Sequence, residues 1–208
     1  MLHALKNYFF FFFILNISSF SWSDEDPYLF IDSNAQKMAN VLTNESELFE
    51  TDRLMYEDKI KEIFEPMIDF RRVAASVMGK KYYLMASKDQ RADFVLIFKD
   101  SLLDTYAETL AQWGESTIST QFPSKDIDAS IINIEVRQTL DTGNSKYPIS
   151  YKLKKTKDGW KIVNIIINGV NLGLTFRNQF QALAISHDED IELTLKNWVS
   201  DAGDAGIS

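Results

Sequence analysis

Cysteine is absent from all 208 residues, so the chain has no disulfide, no thiolate metal ligand and no thiol nucleophile. The same absence argues against a lipoprotein anchor, which attaches to a cysteine placed directly after an export segment. Histidine is nearly as scarce. Of the 2 present, His3 lies at the extreme N-terminus and His187 sits in a polar stretch beside Asp188, Glu189 and Asp190. A histidine-based triad and a zinc site of several His ligands therefore have almost nothing to build on. A phosphate-cradling loop is missing as well: Gly169 and Gly173 lack the lysine and hydroxyl that such a loop requires, and read as turn and packing glycines. Basic charge is in deficit, with 22 Lys and Arg against 30 Asp and Glu, and the cations form no run or stripe. Nucleic acid, whose recognition relies on clustered Lys and Arg, is excluded as a partner on that ground.

Carboxylates are plentiful enough that a glycosidase-like pair is not excluded by counting. Each candidate already has a structural reading, however: Asp69 stands where a helix begins and Asp158 stands in a turn. The cluster of Asp188, Glu189, Asp190 and Glu192 lacks the glycine and alternating ligands of a calcium loop, and helix N-terminal charge accounts for it. The missing chemistry favours binding over catalysis.

At the N-terminus, Lys6 precedes the apolar run Tyr8 to Ile17, which contains the block Phe9 to Phe13. That run is about half the roughly 20 residues a membrane helix needs, and Ser18, Ser19 and Ser21 break it. It reads as an export signal, with Ser21-Trp22-Ser23 supplying small residues for cleavage after Ser23. The predicted organisation is a cleaved segment over residues 1–23, one folded domain over 24–200 and a flexible tail over 201–208. Loss of Lys6 leaves 21 basic against 30 acidic residues, a net charge of −9, which suits a solvated acidic surface. No later apolar stretch reaches membrane-spanning length, so hydropathy predicts a soluble mature chain.

Hydrophobic periodicity then predicts helix, strand and helix again. Pro27 to Leu42 carries Ile31, Ala35, Met38 and Leu42 on one side. A second helix from Asp52 to Glu65 has Leu54, Ile60, Ile63 and Phe64 as its apolar side, and Pro66 limits it. Asp69 to Gly79 reads as a short helix between an N-capping carboxylate and a stop glycine. Ser87-Lys88-Asp89-Gln90 is a capping box opening the longest helix, which runs to Trp113-Gly114 with Phe94, Ile97, Phe98, Leu102, Leu103, Tyr106 and Leu110 as its stripe.

Alternation takes over at Thr117 to Phe122. It is strongest in Ile131 to Leu140, where Ile132, Ile134, Val136 and Leu140 share a face. After the turn Asp141 to Ser145, a strand points Ile149, Tyr151 and Leu153 inward. Trp160 to Ile167 is apolar on both faces, with Val163, Ile165 and Ile167 on one and Trp160, Ile162 and Ile166 on the other. Such a strand is expected to lie centrally, covered on both sides. Helices follow through Leu172, Phe176, Phe180 and Leu183, then through Ile191, Leu195 and Trp198. The whole predicts an α+β fold: a curved antiparallel sheet with helices packed over it.

Several ordered blocks resemble the MlaC family of toluene-tolerance type carriers. They are Asp69-Phe70-Arg71-Arg72-Val73-Ala74 with Val77-Met78-Gly79-Lys80, Gln90 to Phe98, Leu102 to Tyr106, Tyr151 to Leu153, Asp158 to Ile162, Gly169-Val170-Asn171-Leu172 and Phe176-Arg177-Asn178-Gln179-Phe180. The likeness runs from about Pro27 to Trp198. The chain departs from the family pattern in its acidic segment His187 to Asp190 and its negative net charge, departures that bear on docking surfaces and leave the fold untouched.

The resemblance implies a periplasmic carrier with no catalytic residue and no cofactor other than phospholipid as cargo. In the family the acyl tails enter an apolar pocket between sheet and helices, and the head group stays near the surface. The implied partners are phospholipid, an inner-membrane ABC transporter complex with its substrate-binding ring, and an outer-membrane lipoprotein and porin complex. The implied role is maintenance of outer-membrane lipid asymmetry.

Exposing roughly thirty tail methylenes to water costs about 0.8 kcal/mol each, on the order of 24 kcal/mol, so a carrier needs a dry tunnel. The candidate lining is Val136, Ile149, Tyr151, Ile165 and Ile167 on the strands, Phe98, Leu102 and Tyr106 on the long helix, and Val73 and Val77 on the short one. Periodicity finds this buried face without distinguishing a cavity wall from filled core. Two other readings stay open at this point: a periplasmic adaptor domain without lipid cargo, whose core would be filled, and a lipid hydrolase resting on Ser76 or Ser101 with His187. Arg71 and Arg72 are read as solvated or salt-bridged, with contact to a phosphate at a pocket mouth as the alternative.

Overall fold

A computed structural model describes residues 26–111 and 116–200, apart from the side chains at 46 and 106–111. The expected export segment, the long helix's end at Trp113-Gly114 and the expected tail lie outside them. The architecture is α+β, with a five-stranded antiparallel sheet in the order β1-β2-β3-β4-β5: Thr117–Thr120, Asn133–Asp141, Lys146–Thr156, Gly159–Ile167 and Val170–Asn171. Among the described residues seven helices accompany it: α1 Pro27–Asn44, α2 Ser46–Thr51, α3 Arg53–Phe64, α4 Phe70–Met85, α5 Lys88–Ala111, α6 Leu172–Ser186 and α7 Ile191–Lys196.

Helix starts are set by side chains that accept orphan backbone donors. Asp26 accepts from Tyr28 N–H and Leu29 N–H at α1, and Asp69 from Arg72 N–H at α4. Ser87 Oγ accepts from Gln90 N–H at 3.1 Å while Gln90 Oε1 accepts from Ser87 N–H at 2.9 Å, completing the capping box of α5. A short 3-10 turn, Glu65–Met67, leads from α3 to α4. There Asp69 N–H donates to Ile162 O at 3.0 Å and Lys161 Nζ to Pro66 O, tying the entrance of α4 to the sheet.

Four expectations are corrected. Leu54 is 75% exposed: it lies in the first turn of α3, whose buried side is carried by Tyr56 and Ile60, and the short helix α2 precedes it. The helix that begins after Asp69 is broken at Gly79 (φ 68, ψ 168) and resumes to Met85. Ile132 is 55% exposed because β2 begins only at Asn133.

The fourth correction concerns β4. The register slips between Lys152 and Leu153, which pair with Asn164 and Ile162, so Val163 is an inserted residue. This bulge shifts the alternation. Trp160 and Ile162 before it and Ile165 and Ile167 after it face the same way, while Val163 and Ile166 are half-buried. The strand is therefore apolar on both faces without being buried on both.

Helices cover the face formed by Val136, Leu140, Ile149, Tyr151 and Leu153 with their β4 partners. At one end of this layer Phe94, Phe98, Phe176, Phe180 and Trp198 interlock, with ring centroids 4.9 Å apart for Phe94 and Phe180 and 5.7 Å for Phe98 and Phe176. Both contacts are edge-to-face, the arrangement ring quadrupoles favour. A separate small core of Met38, Val41, Leu42, Tyr56 and Ile60 joins α1 to α3.

Candidate ligand-binding cavity

Ile63 and Phe64 pack on both the small core and the main one, and beside them the two leave a space unfilled. Ile31, Ala35, Met38, Ala39 and Leu42 from α1 face Ile63 and Phe64 from α3 across a cavity of about 130 Å³. Its floor is the sheet, through Ile118, Leu140, Ile149, Tyr151, Ile162, Ile165 and Ile167, and its far wall is Val73, Phe98, Leu102, Leu103 and Phe176. The lining is almost wholly apolar. Water is retained in a cavity only where two to four polar groups hold it, so a space of this character is dry and suits hydrocarbon.

The few polar groups at the wall have structural duties. Asn164, just past the bulge, accepts from Gly173 N–H at 3.0 Å and donates to Asn171 Oδ1 at 2.9 Å. Asn171 in turn caps α6 by accepting from Leu174 N–H at 3.1 Å. A Cβ at position 173 would lie 2.6 Å from Asn164 Oδ1, so only glycine lets α6 approach β4 this closely. Burial pushes the Tyr151 phenol well above its ordinary range, which keeps the hydroxyl neutral at every physiological pH.

The structure brings Val73, Phe98, Leu102, Ile149, Tyr151, Ile165 and Ile167 to this one cavity. Val77 and Val136 are fully buried in the main core and do not reach its wall. The side chain of Tyr106 lies outside the described residues. The wall that sequence reasoning missed is α1 with Met67, Ile68 and Ile118. Ile31, Ala35, Met38 and Leu42 had signalled a buried stripe, but nothing in their spacing says that they face a space.

Arg71 and Arg72 do not line the cavity; Arg72 Nε pairs with Asp69 at 3.1 Å. Among the described residues no cluster of three or more His, Asp and Glu is placed to hold a metal ion. Ser101 Oγ accepts from Ser200 N–H at 2.6 Å, and no hydrogen bond joins His187 to Ser76 or Ser101 among those residues.

The family model described as MlaC protein matches residues 32–199, most of the chain. The chain belongs to the MlaC family. Among relatives, the toluene tolerance protein ttg2D of Pseudomonas putida is 25% identical over 181 residues, covering 87% of this chain and 83% of the relative. The intermembrane phospholipid transport system binding protein MlaC of Haemophilus influenzae is 23% identical over 188 residues, covering 89% and 78%. Among solved structures, a phospholipid-binding protein from Ralstonia solanacearum, determined with a phospholipid, matches with a TM-score of 0.72 at 22% identity, covering 83% of this chain and 94% of that one. At that identity the likeness speaks for the fold.

Proposed function

We propose that this MlaC-family chain is a periplasmic phospholipid carrier whose cargo tails occupy the apolar cavity between sheet and helices. The observation that carries the reading is the cavity itself: a dry space in a family fold, where a filled core would have stabilised the protein better. One relative's name, that of an intermembrane phospholipid transport system binding protein, points the same way.

In this reading residues 1–23 are removed on export, residues 24–200 form the single lipid-binding domain and residues 201–208 are a flexible tail. Val73, Phe98, Leu102, Ile149, Tyr151, Ile165 and Ile167 contact the tails, with Tyr106 extending the lining along α5 and Val77 and Val136 backing it. The chain passes phospholipid between an outer-membrane lipoprotein and porin complex and an inner-membrane ABC transporter with its substrate-binding ring, which maintains outer-membrane asymmetry. No residue acts catalytically, and the only bound molecule is the cargo.

At about 130 Å³ the cavity is smaller than the roughly 300–1,000 Å³ typical of pockets that enclose drug-sized ligands, so tails enter by moving a wall. The wall that yields is α1 to α3. It has its own small core, rests on the main one through Ile31, Ile63 and Phe64, and is tied to α5 by surface ion pairs, Lys61 to Asp104 at 2.7 Å and, from the 3-10 turn that follows α3, Glu65 to Lys99 at 2.9 Å. Such pairs are worth about 1 kcal/mol or less each, little enough to break during loading.

The test is uptake of a fluorescent phospholipid from vesicles by the mature protein and by Ala35→Trp, whose indole fills the cavity from α1. Uptake by wild type and at least a tenfold loss in a folded variant are expected. Equal uptake by both would place the lipid elsewhere.

A further inference from the structure

A second concavity lies on the outside of the helical layer, between α4 and α6, and shares no lining residue with the cavity. We propose that it is a docking groove for an acidic segment of a partner protein.

Its shape comes from small residues. Ala75, Ser76 and Gly79 form the floor, and Gly79 has a backbone conformation (φ 68, ψ 168) that side-chain-bearing residues avoid. The break there turns the last part of α4 away from its first part. A Cβ at Gly79 would sit 3.9 Å from Cδ and Nε of Arg177, which crosses from α6 to donate through Nε to Ser76 O at 2.7 Å. The helix break and the arginine thus form one built feature.

Its charge is opposite to that of the protein. Arg71, Arg72, Lys80 and Arg177 surround the floor, and the one carboxylate at the rim, Asp69, is occupied by Arg72 and by the cap of α4. Among the described residues neither Arg71 nor Lys80 has an acidic partner. In a chain of net charge −8 this is a local cationic island.

Charge complementarity selects the occupant. At physiological salt the field reaches about 8 Å, so a carboxylate-bearing segment lying in the groove feels the island and little of the acidic remainder. An anionic bilayer is a broad surface that cannot follow the concavity and would face the acidic remainder as well. Arginine forks bind carboxylates through paired hydrogen bonds, which gives such a segment register as well as attraction.

The groove is separate from the cavity, so this inference does not rest on lipid carriage. The probe is a fluorescein-labelled Glu-rich peptide, titrated with the mature protein and followed by anisotropy at low and at physiological ionic strength. The double variant Arg71→Glu with Lys80→Glu is expected to weaken binding at least about tenfold. Lys154→Glu with Lys157→Glu, the same charge change on β3 and the turn after it, is expected to weaken it less than about threefold. All four side chains are surface groups, and circular dichroism checks that each variant folds; Arg71→Gln with Lys80→Gln gives a milder second measure.

Equal loss in both double variants would make the attraction a net-charge effect and overturn the groove. No binding by wild type would overturn it too. So would binding of phosphatidylglycerol vesicles, but not peptide, that disappears with the Arg71 and Lys80 changes, since the occupant would then be a membrane.

Discussion

Phe98 shows how one side chain serves both the fold and the cavity. It is fully buried, packs edge-to-face on Phe176 and at the same time forms part of the cavity wall. Phe98→Ala is expected to destabilise the protein by about 3–5 kcal/mol, read as a shift in the urea midpoint at unchanged slope. Gly79 works through its backbone. Gly79→Ala forces a side chain into a conformation costing about 1–3 kcal/mol, and urea unfolding measures that loss. The sequence made the glycine visible as a helix stop, because a glycine after an apolar stripe is the usual terminator. It did not show the second helical segment beyond it, since Lys80 to Met85 has no stripe long enough to stand out from a loop. Among site residues, Ile149 and Tyr151 were legible because β3 alternates cleanly. Val77 and Val136 have the same buried signature and yet back the core, a difference that depends on what the opposing helix leaves unfilled.

For whole elements, the capping box of α5 was readable because its two hydrogen bonds depend only on residues three apart. The bulge in β4 was not. Val163 and Ile166 are as apolar as their neighbours, so the run from Trp160 to Ile167 hides the slip that puts Ile162 and Ile165 on one face. On the sheet's other face, Glu135 on β2 lies opposite Lys152 on β3. Lys152 chiefly, then Arg137 and Ser150, hold the Glu135 carboxyl down at about 2. A carboxylate with a depressed folded-state pKa stabilises the fold above its ordinary value of 4.5, and that contribution is lost as pH falls toward 2. The carboxyl and its cations are partly exposed, so the contribution is about 1 kcal/mol or less. Glu135→Gln is therefore expected to lower stability slightly at pH 7 and to leave it unchanged near pH 2. Paired urea titrations at the two pH values check this, and an equal deficit at both would contradict it.

For the molecule as a whole, two cores with a dry space between them are the feature from which the functional reading grows. The larger core is anchored by interlocked aromatic rings, while α1 to α3 have a small core of their own and meet the larger one through Ile31, Ile63 and Phe64. In the proposed carriage this division leaves α1 to α3 as the part that moves, against the sheet and α4 to α6. It also explains why the fold class was legible from periodicity while the cavity was not: a stripe records which side is buried, and only the assembled helices determine whether the space is filled. The most direct measurement is mass spectrometry of organic extracts from the purified mature protein, set beside the native mass of the intact complex. Stoichiometric phospholipid, reduced at least tenfold in Ala35→Trp, is the predicted result. A protein that emerges without phospholipid and fails to take it from vesicles would contradict the account.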